Sequence, residues 1–401
     1  MSLTRAERRV VLLASTANML PPFTQSIFTP SMAAVRETFG ASNTVVALAI
    51  SLYALGLAAG QTLSGPLADR WAARRVLVLA MSIYFAGSAL AFLAGTMPVF
   101  IAARLAQALG AASALVVAPS LITDLVPPAR RGRALGIMQS FAFAGFVAGP
   151  LVGGLMAPLW GWRAVFPLLM AVSLGILAGS RLLPVYPLPT EPLTWQKVRA
   201  IVLTSSTRKG LLLGASQVYT IHGLLTMLPL LLHERLHLPV TWIGLTLTLL
   251  NVTAMLGSPM GGRAIDRLGI HITIRRGMGV AVGAALLLGA VALVARGVGS
   301  LAGVVPALAG IGMGFSWAYP AQVALMVAWF PEIRGTAVGV YNLGRFGGGA
   351  LGPVTMGLAA DLLGLRWAFL LPPLALVTAH LAGARTVTAP ASRPSGVAPG
   401  E

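Results

Sequence analysis

Cysteine is absent from the 401-residue sequence, and charged residues make up only 9% of it. The first absence excludes disulfide bonds, thiol catalysis and cysteine metal sites. The second excludes a soluble globular domain, because such domains carry roughly 25% charged residues. The five histidines show no H-E-x-x-H pattern, and neither a metal nor any other cofactor is expected.

Hydrophobic residues make up 57% of the chain and form long apolar stretches between clusters of charge. About 20 apolar residues cross a hydrocarbon core ~30 Å thick. Every backbone group in lipid must be paired within its own segment, so these stretches are predicted to be helices. The 46 glycines suit close packing of such helices. The twelve predicted spans are 10–30, 44–66, 76–95, 98–121, 133–156, 163–182, 210–232, 240–262, 277–296, 299–322, 335–358 and 365–384.

The net charge of +18 could suggest a nucleic-acid partner, but its placement indicates membrane orientation instead. When the N-terminus is placed inside, most of the 28 basic residues fall on the cytoplasmic side, as the positive-inside rule requires. We therefore expect a multi-pass protein of the cell inner membrane with both termini in the cytoplasm. Anionic lipid headgroups on the inner face are expected contacts, and nucleic acid is not.

The spans divide the chain into residues 1–182, a cytoplasmic linker 183–209, residues 210–385 and a disordered cytoplasmic tail 386–401. Neither the proline-containing linker nor the tail is long enough for a catalytic domain, so no enzymatic function is expected. The basic start of the chain, followed by an apolar run, also fits a signal peptide. The internal repeat argues against that alternative, because it needs this segment as its first helix.

The two halves of the chain repeat at nearly fixed offsets, which indicates duplication. The fold class predicted is all-α integral membrane, with twelve transmembrane helices in two pseudo-symmetric six-helix bundles and a site between them near the midplane. Three matches are 203 residues apart and the last is 197 apart: Arg131-Gly132 with Arg334-Gly335, Gly145-x-x-x-Gly149-Pro150 with Gly348-x-x-x-Gly352-Pro353, Arg163 and Phe166 with Arg366 and Phe369, and Gly65-x-x-x-Asp69-Arg70 with Gly262-x-x-x-Asp266-Arg267.

Four motifs carry a resemblance to a known family: Gly65-Pro-Leu-Ala-Asp69-Arg70-Trp-Ala-Ala-Arg74-Arg75, Arg104-x-x-Gln107-x-x-Gly110, Thr123-Asp124-Leu125-Val126-Pro127 and Gly145-x-x-x-Gly149-Pro150-x-x-Gly153-Gly154. From about residue 8 to residue 384 the chain resembles the major facilitator superfamily. The glycine motif resembles that of the 12-helix drug:proton antiporters, including the bicyclomycin-resistance type. The first motif departs from the family pattern at Ala72, usually glycine, and Ala73, usually basic.

The resemblance implies that the first motif and its repeat, Gly262, Asp266 and Arg267, form a gate at the inner end of the bundle. It places Asp69 opposite the N-terminus of the eleventh helix, where a helix dipole favours a carboxylate. Asp124 lies within reach of Arg74, and such pairs would hold the inner end closed when the protein faces outward. An ordinary solvated loop cluster is the alternative to this gate.

The resemblance also implies that the glycines from Gly145 to Gly154, with a bend at Pro150, form a smooth surface on which the bundles rock. General small-residue packing is the alternative.

Arg104, Arg345 and His222 are ionisable residues inside predicted spans, where charge is costly and tends to be functional. The resemblance implies a role for Arg104 in proton transfer, with snorkelling to the outer surface as the alternative. Arg345 lies 11 residues past Arg334, about 16 Å along the helix. We expect it to bind an anionic or strongly polar substrate group, unless it bonds carbonyls at a helix break near Gly347–Gly349.

His222 could carry a proton, although a lone histidine in a span is more often a packing residue. The remaining candidates for contact with proton or substrate are polar or amphipathic residues of presumed cavity helices. They are Gln25, Gln107, Asn251, Trp317, Tyr319, Gln322 and Asn342.

None of the ten acidic residues lies in the middle of a predicted span, which argues against cationic drugs and leaves the proton carrier unassigned. We expect a secondary transporter that exports small organic molecules or drugs in exchange for protons. Efflux of sugars or of anionic or neutral metabolites, and proton-coupled uptake, remain alternatives. A membrane enzyme or sensor would need converging catalytic groups or a soluble domain. The protein is expected to work as a monomer on a small-molecule substrate and protons.

Overall fold

The computed structural model describes residues 4–183, 205–330 and 334–384. Within them, a few side chains at the predicted inner end lie outside the description, namely those of 62–63, 65–70, 123, 128–129, 132–133, 205–206, 327, 334–336 and 338–339. The predicted tail 386–401 and most of the predicted linker also lie outside it.

Every regular element in the described ranges is a helix. The helices are α1 (Arg5–Ser26), α2 (Met32–Phe39), α3 (Asn43–Arg70), α4 (Ala73–Leu93), α5 (Met97–Leu125), α6 (Pro128–Trp160), α7 (Val165–Ser180), α8 (Ser205–Glu234), α9 (Val240–Leu268), α10 (Ile270–Val294), α11 (Leu301–Trp329), α12 (Arg334–Leu363), α13 (Leu365–Ala368) and α14 (Leu371–Ala384).

Eleven stretches in the described helices are long and apolar enough to cross a membrane. They lie in α3 to α12 and in the segment from α13 to α14. The one predicted span that is not among these eleven is the first, which corresponds to α1. Its 22 residues include the polar Asn18 and Gln25 and the adjacent Pro21 and Pro22. The all-α membrane architecture expected from the composition is thereby confirmed.

Two predicted boundaries differ from the ends of the helices. The first span was expected to reach residue 30, but α1 ends at Ser26 and a 3-10 turn at Thr29–Ser31 leads into α2. Residues 205–209, expected in the linker, are the first residues of α8. The last predicted span does start at residue 365, where the candidate span Leu365–Gly383 begins, although the helix is interrupted between Ala368 of α13 and Leu371 of α14.

Helix pairing repeats between the two halves of the chain. In the first half α1 packs on α6, α3 on α5, and α4 on α5 and α7. In the second half α8 packs on α12, α9 on α11, and α10 on α11 and α14. The duplication predicted from the motifs therefore has a structural counterpart in two six-helix bundles.

The repeated glycines explain how α6 and α12 approach their neighbours. A Cβ at Gly145 would lie 2.7 Å from the Met19 carbonyl oxygen of α1. At Gly348, the counterpart in α12, it would collide with the Ala215 carbonyl oxygen of α8. A residue larger than glycine would push these helices apart, so each bundle has one backbone-to-backbone contact at the equivalent place.

Candidate functional site

The two bundles meet along two seams, one between α3 and α12 and one between α6 and α9. Their hydrogen bonds and glycine contacts lie at the end of the molecule that contains Asn43, Trp160, Val240 and Leu363. This end is called the outer end below, because the predicted orientation places it outside the cell.

In the α6–α9 seam, Gly154 packs against the first turns of α9. A Cβ at Gly154 would lie 3.0 Å from the Gly244 Cα and 3.1 Å from the Val240 carbonyl oxygen. The Thr241 hydroxyl donates a hydrogen bond to the Gly154 carbonyl at 3.0 Å, and Thr248 donates to the Val147 carbonyl at 3.4 Å. This seam is therefore held by close backbone approach and neutral hydrogen bonds.

In the α3–α12 seam, Asp361 of α12 caps the N-terminus of α3. Its carboxylate accepts hydrogen bonds from the Asn43 N–H at 3.0 Å, the Thr44 N–H at 2.9 Å and the Thr44 hydroxyl at 2.6 Å. Gly357, one turn earlier, gives room for this approach, because a Cβ there would lie 2.9 Å from the Thr44 Cα. A carboxylate at a helix N-terminus accepts otherwise unpaired N–H groups and interacts favourably with the helix dipole.

Between the seams, Gln25 of α1 and His222 of α8 form a hydrogen bond across the halves, with 2.7 Å between their Nε2 atoms. The His222 Nδ1 lies 3.1 Å from the Gly349 carbonyl oxygen. A carbonyl can only accept, so Nδ1 carries the proton and Nε2 accepts from the Gln25 amide. Both side chains are buried. The imidazole thus joins α1, α8 and α12.

Nearer the outer end than this pair, Arg36 of α2 forms an ion pair with Glu234 at the end of α8, at 2.5 Å. Arg36 also donates to the Asn43 side chain at 3.0 Å. The described hydrogen bonds and ion pair between the halves all lie in the outer half of the molecule. The structure is therefore closed at its outer end.

Arg104 is completely enclosed in the N-terminal bundle. Its guanidinium carbon lies 4.4 Å from the Phe28 ring centroid and 4.3 Å from that of Tyr53. Its Nη1 donates to the Gln107 Oε1 at 2.7 Å, and Gln107 donates in turn to Ser88 at 2.8 Å. Two aromatic faces and one amide hold the charge in place, and the expected alternative of snorkelling to the outer surface is wrong.

Arg345 lies at the junction of α8, α11 and α12 and is only half-buried. Its guanidinium carbon is 4.0 Å from the Tyr319 ring centroid and 5.6 Å from that of Tyr341. Asn342 accepts from its Nη1 at 3.4 Å, a long hydrogen bond. Tyr341 also donates a short hydrogen bond to Gln322, a buried residue of α11. Four of the predicted candidates, Tyr319, Gln322, Asn342 and Arg345, are thus brought together.

Other candidates lie apart from this cluster. Trp317 is two residues before Tyr319, about 200° around α11, and its backbone and Cβ pack near Gly261 of α9 and Gly277 of α10. Asn251 is half-buried in α9, and its amide donates only a long hydrogen bond, 3.5 Å, to the Leu247 carbonyl of its own helix.

The expected inner gate is only partly described. The surroundings of Gly65 and the side chains of Asp69 and Arg70 lie outside the described part of the structure. Asp124 is exposed and takes part in neither of the two described ion pairs, so the pair expected with Arg74 is not formed in this structure. In the repeat of this motif, Asp266 and Arg267 are exposed and Gly262 meets no neighbour. An inner latch would be open in a state that is closed outside.

The glycine motif of α6 serves two different contacts. Gly145, Gly149 and Gly153 face α1, where a Cβ at Gly149 would collide with the Ser26 hydroxyl and one at Gly153 with the Ile27 carbonyl. Gly154, on the next face, contacts α9 of the other half. The helix continues through Pro150 to Trp160. The motif therefore sets both the packing inside one bundle and the closest approach between the two.

Two contacts were not predicted from the sequence. Asp361 lies in no motif, and it has no acidic counterpart in the first half, because the residue 203 positions earlier is Pro158.

The second contact is made by Glu7, which accepts from Arg130 at 2.9 and 2.7 Å and caps its own helix with Thr4. The hydrogen bond from the Thr4 backbone N–H, together with Arg130, lowers the pKa of Glu7 although desolvation opposes this. The pattern Thr4-x-x-Glu7 is a capping-box signal and could have identified the helix start.

Comparisons with known proteins agree with this architecture. The family model of the Major Facilitator Superfamily matches residues 14–318 and 304–401. The chain is 25% identical to the chloramphenicol resistance protein of Pseudomonas aeruginosa, over 82% of this chain and 79% of that protein. It is 32% identical to the cephamycin export protein CmcT of Amycolatopsis lactamdurans, over 55% of this chain and 46% of CmcT.

A third relative, the multidrug resistance protein Stp of Mycobacterium tuberculosis (strain CDC 1551 / Oshkosh), is 33% identical over 33% of this chain, and the match spans only a quarter (25%) of Stp. Among solved structures, a D-xylose-proton symporter superposes with a TM-score of 0.78 at 18% identity, covering 93% of this chain and 96% of its own. A bacterial homologue of the lysosomal transporter Spinster, inward-facing and occupied, gives 0.80 at 20%, covering 95% and 97%. These structural likenesses concern the fold.

Proposed function

Because the chain belongs to the Major Facilitator Superfamily, we propose that it exports small organic molecules from the cytoplasm in exchange for protons, by alternating access. The chain is a transporter and not an enzyme. The observation that supports the mechanism is the closure of the outer end by a small set of separable contacts between two related bundles. The direction is supported by relatives named for drug resistance and for cephamycin export.

Outward opening requires the two seams to part at their outer ends. The contacts to be broken are the cap of α3 by Asp361, the Thr241–Gly154 hydrogen bond, the Gln25–His222 hydrogen bond and the Arg36–Glu234 ion pair. When these part, the inner-end residues Gly65, Asp69, Arg70, Arg74 and Asp124 and their repeat Gly262, Asp266 and Arg267 are proposed to close the other end. The glycines of α6 let the bundles rock without side chains in the way.

His222 is proposed as the proton carrier. In the closed state its Nε2 lone pair is used by Gln25. Opening of the outer end removes Gln25, and Nε2 can then take a proton from outside. On closure, a reversed Gln25 amide can accept from the protonated Nε2. The proton is proposed to leave Nε2 towards the cytoplasm in this state, after which Gln25 again donates to Nε2. Arg104, fixed with Gln107 in the outer half of the N-terminal bundle, is proposed to position α1 and α3 around this link through Phe28 and Tyr53.

Inside-out membrane vesicles test the proposal, because their lumen corresponds to the cell exterior. Acidifying the lumen should drive accumulation of labelled chloramphenicol or of a cephamycin, and collapsing the pH gradient with an ionophore should abolish it. His222→Gln should lose gradient-driven accumulation but retain exchange of labelled for unlabelled substrate. Uptake driven in the opposite sense, into right-side-out vesicles with an acidic medium, would contradict export and favour symport.

The membrane placement is also a proposal: the cell inner membrane, both termini in the cytoplasm, a monomer in contact with anionic headgroups. The absence of cysteine makes it simple to test, since any introduced thiol is unique. Arg235→Cys, at the outer end, should react with an impermeant maleimide in intact cells, and His271→Cys should react only after lysis. The reverse result would invert the topology.

A further inference from the structure

We propose that α8, α11 and α12 build a binding site for organic anions, with Arg345 as the residue that binds the anionic group. This inference names the substrate class of the transporter and rests on the proposed function. Carboxylates are the simplest such anions, and the edge of a guanidinium matches them with two parallel hydrogen bonds.

The charge of Arg345 lacks a protein counter-ion in the described part of the chain. The two described ion pairs join Arg36 to Glu234 and Arg130 to Glu7, both at the ends of the bundle. The structural explanation considered for Arg345, bonding to carbonyls at a helix break, fails because α12 is continuous from Arg334 to Leu363. A cation about 16 Å into the span, with only a 3.4 Å hydrogen bond from Nη1 to Asn342, calls for another partner.

Two enclosed donors, on residues that both contact Tyr341, lack acceptors. The Arg345 Nε is buried without a hydrogen-bond partner. Gln322 is 2% exposed; its Oε1 is used by the Tyr341 hydroxyl, and its Nε2 is likewise buried without a partner. Tyr341 contacts both residues, since its ring centroid lies 5.6 Å from the Arg345 guanidinium carbon. Unpaired buried donors are costly, and an anion held between Arg345 and Gln322 would satisfy both.

The surroundings hold the guanidinium in a fixed orientation. Tyr319 lies against it at 4.0 Å, which leaves its hydrogen-bonding edge free. On the other side the chain of Arg345 lies over Gly214 of α8, where a Cβ would come within 2.6 Å of the Arg345 Cγ. A fixed donor edge loses less conformational entropy when it binds a ligand. The half-buried state of the side chain leaves it accessible, in contrast to the fully enclosed Arg104.

The charge balance of the spans points the same way. None of the ten acidic residues of the sequence lies mid-span, whereas Arg104 and Arg345 both do. The interior therefore favours anions over cations. Export of a monovalent anion for one entering proton moves two charges in the same electrical direction. An inside-negative potential of 100 mV then favours export about 50-fold per charge moved.

Binding to the purified full-length protein in nanodiscs tests the site without any gradient. The probes are a panel of carboxylates, sulfonates and phosphate monoesters, including cefoxitin, each matched with its neutral ester or amide, and tetraphenylphosphonium as a cation. We expect at least one anion to raise the melting temperature in a concentration-dependent way, with a Kd at least 10-fold below that of its neutral match. Arg345→Gln should raise the Kd for this anion at least 10-fold, and Arg345→Lys should raise it less.

Gln322→Leu should weaken the same anion several-fold, whereas Arg366→Gln, an outer-end arginine over Trp367, is the control and should change nothing. If Arg345→Gln does not fold, the Lys and Gln322→Leu variants still decide. The proposal is overturned if no anion of the panel stabilises the protein, if neutral or cationic probes bind equally well, or if the Arg345 variants bind like wild type.

Transport of the anion identified in this way separates the two proposals. In inside-out proteoliposomes at equal pH on both sides, a lumen-positive potential set with potassium and valinomycin should increase its accumulation. No binding but intact pH-driven transport of neutral drugs would overturn the anion site alone. Binding of the anion without any gradient-driven movement would instead contradict the proposed function.

Discussion

The two seams that close the outer end are equivalent by the internal repeat but differ in chemistry. Gly154 of α6 and Gly357 of α12 are 203 residues apart, and their contacts in α9 and α3, Val240 and Asn43, are 197 apart. Both glycines meet the first turn of a helix from the other half. One seam is joined by neutral hydrogen bonds from Thr241 and Thr248, and the other by a carboxylate that accepts three hydrogen bonds from α3. Duplication thus supplies the geometry, and the single residue Asp361 gives the α3–α12 seam charge-assisted hydrogen bonds that the α6–α9 seam lacks.

The largest effect is expected when the shared geometry is destroyed. Gly154→Leu or Gly357→Leu places a side chain where even a Cβ would lie 3.0 or 2.9 Å from the opposite backbone. The outer end should then fail to close, and transport should fall at least 10-fold. Spin labels at Glu37→Cys and Arg235→Cys, one in each half, should show a longer distance. Gly283→Leu, where nothing lies within 4 Å, is the control, and an equal loss there would undermine the explanation.

A smaller effect is expected when only the difference between the seams is removed. Asp361→Asn keeps the size of the side chain but loses the charge-assisted bonds to α3, an effect of about 1–2 kcal/mol. The equilibrium ratio of outer-closed to outer-open protein should fall roughly 5- to 30-fold on that scale. The same spin-label pair reports it. Thr241→Val in the other seam should shift the distance less, and a larger shift for Thr241→Val would reverse the ranking of the two seams.

Arg36→Gln tests the more exposed contact above the seams. The ion pair with Glu234 has side chains 23% and 34% exposed, so solvent screens it, and a contribution of up to about 1 kcal/mol is expected. The ratio of outer-closed to outer-open protein should change by no more than about fivefold, and this change should vanish in 1 M salt. A salt-independent change would mean that the hydrogen bond from Arg36 to Asn43 matters more than the charge pair.

The smallest effect on closure is expected from Glu7→Gln, because Glu7 and Arg130 belong to the same half. Spin-label distances across the outer end should not change. Stability should change instead: the pKa of Glu7 is lowered in the folded protein, so its contribution is present above the ordinary value of 4.5 and is lost as pH falls through the lowered pKa. Thermal melts at pH 7 and pH 3 should show a larger deficit of the variant at pH 7 than at pH 3. A distance change without such a deficit would contradict this assignment.

The fold class and the repeat were predictable because they depend on hydrophobic length and recurring motifs, both of which are linear properties of the chain. Tyr319, Gln322, Asn342 and Arg345 were each singled out from the sequence, because polar groups in spans are rare, but their grouping was not predicted. Trp317 was assigned to the same group but faces α9 and α10, since two residues along a helix turn it by about 200°. The cap that Asp361 forms on α3 was not predicted, because Asp361 lies in no motif and its role depends on which helix end packs against it.

The sequence by itself determined that the chain spans a membrane, that its halves are related and that two arginines lie inside the spans. Only the tertiary structure decided that Arg104 is fully enclosed between Phe28 and Tyr53 while Arg345 is half-buried, and that the outer end is the closed one. The reason is physical. Hydrophobicity and spacing act within a segment, whereas the partner of a charge and the state of a gate depend on helices that are distant in the chain and meet only when the bundles pack.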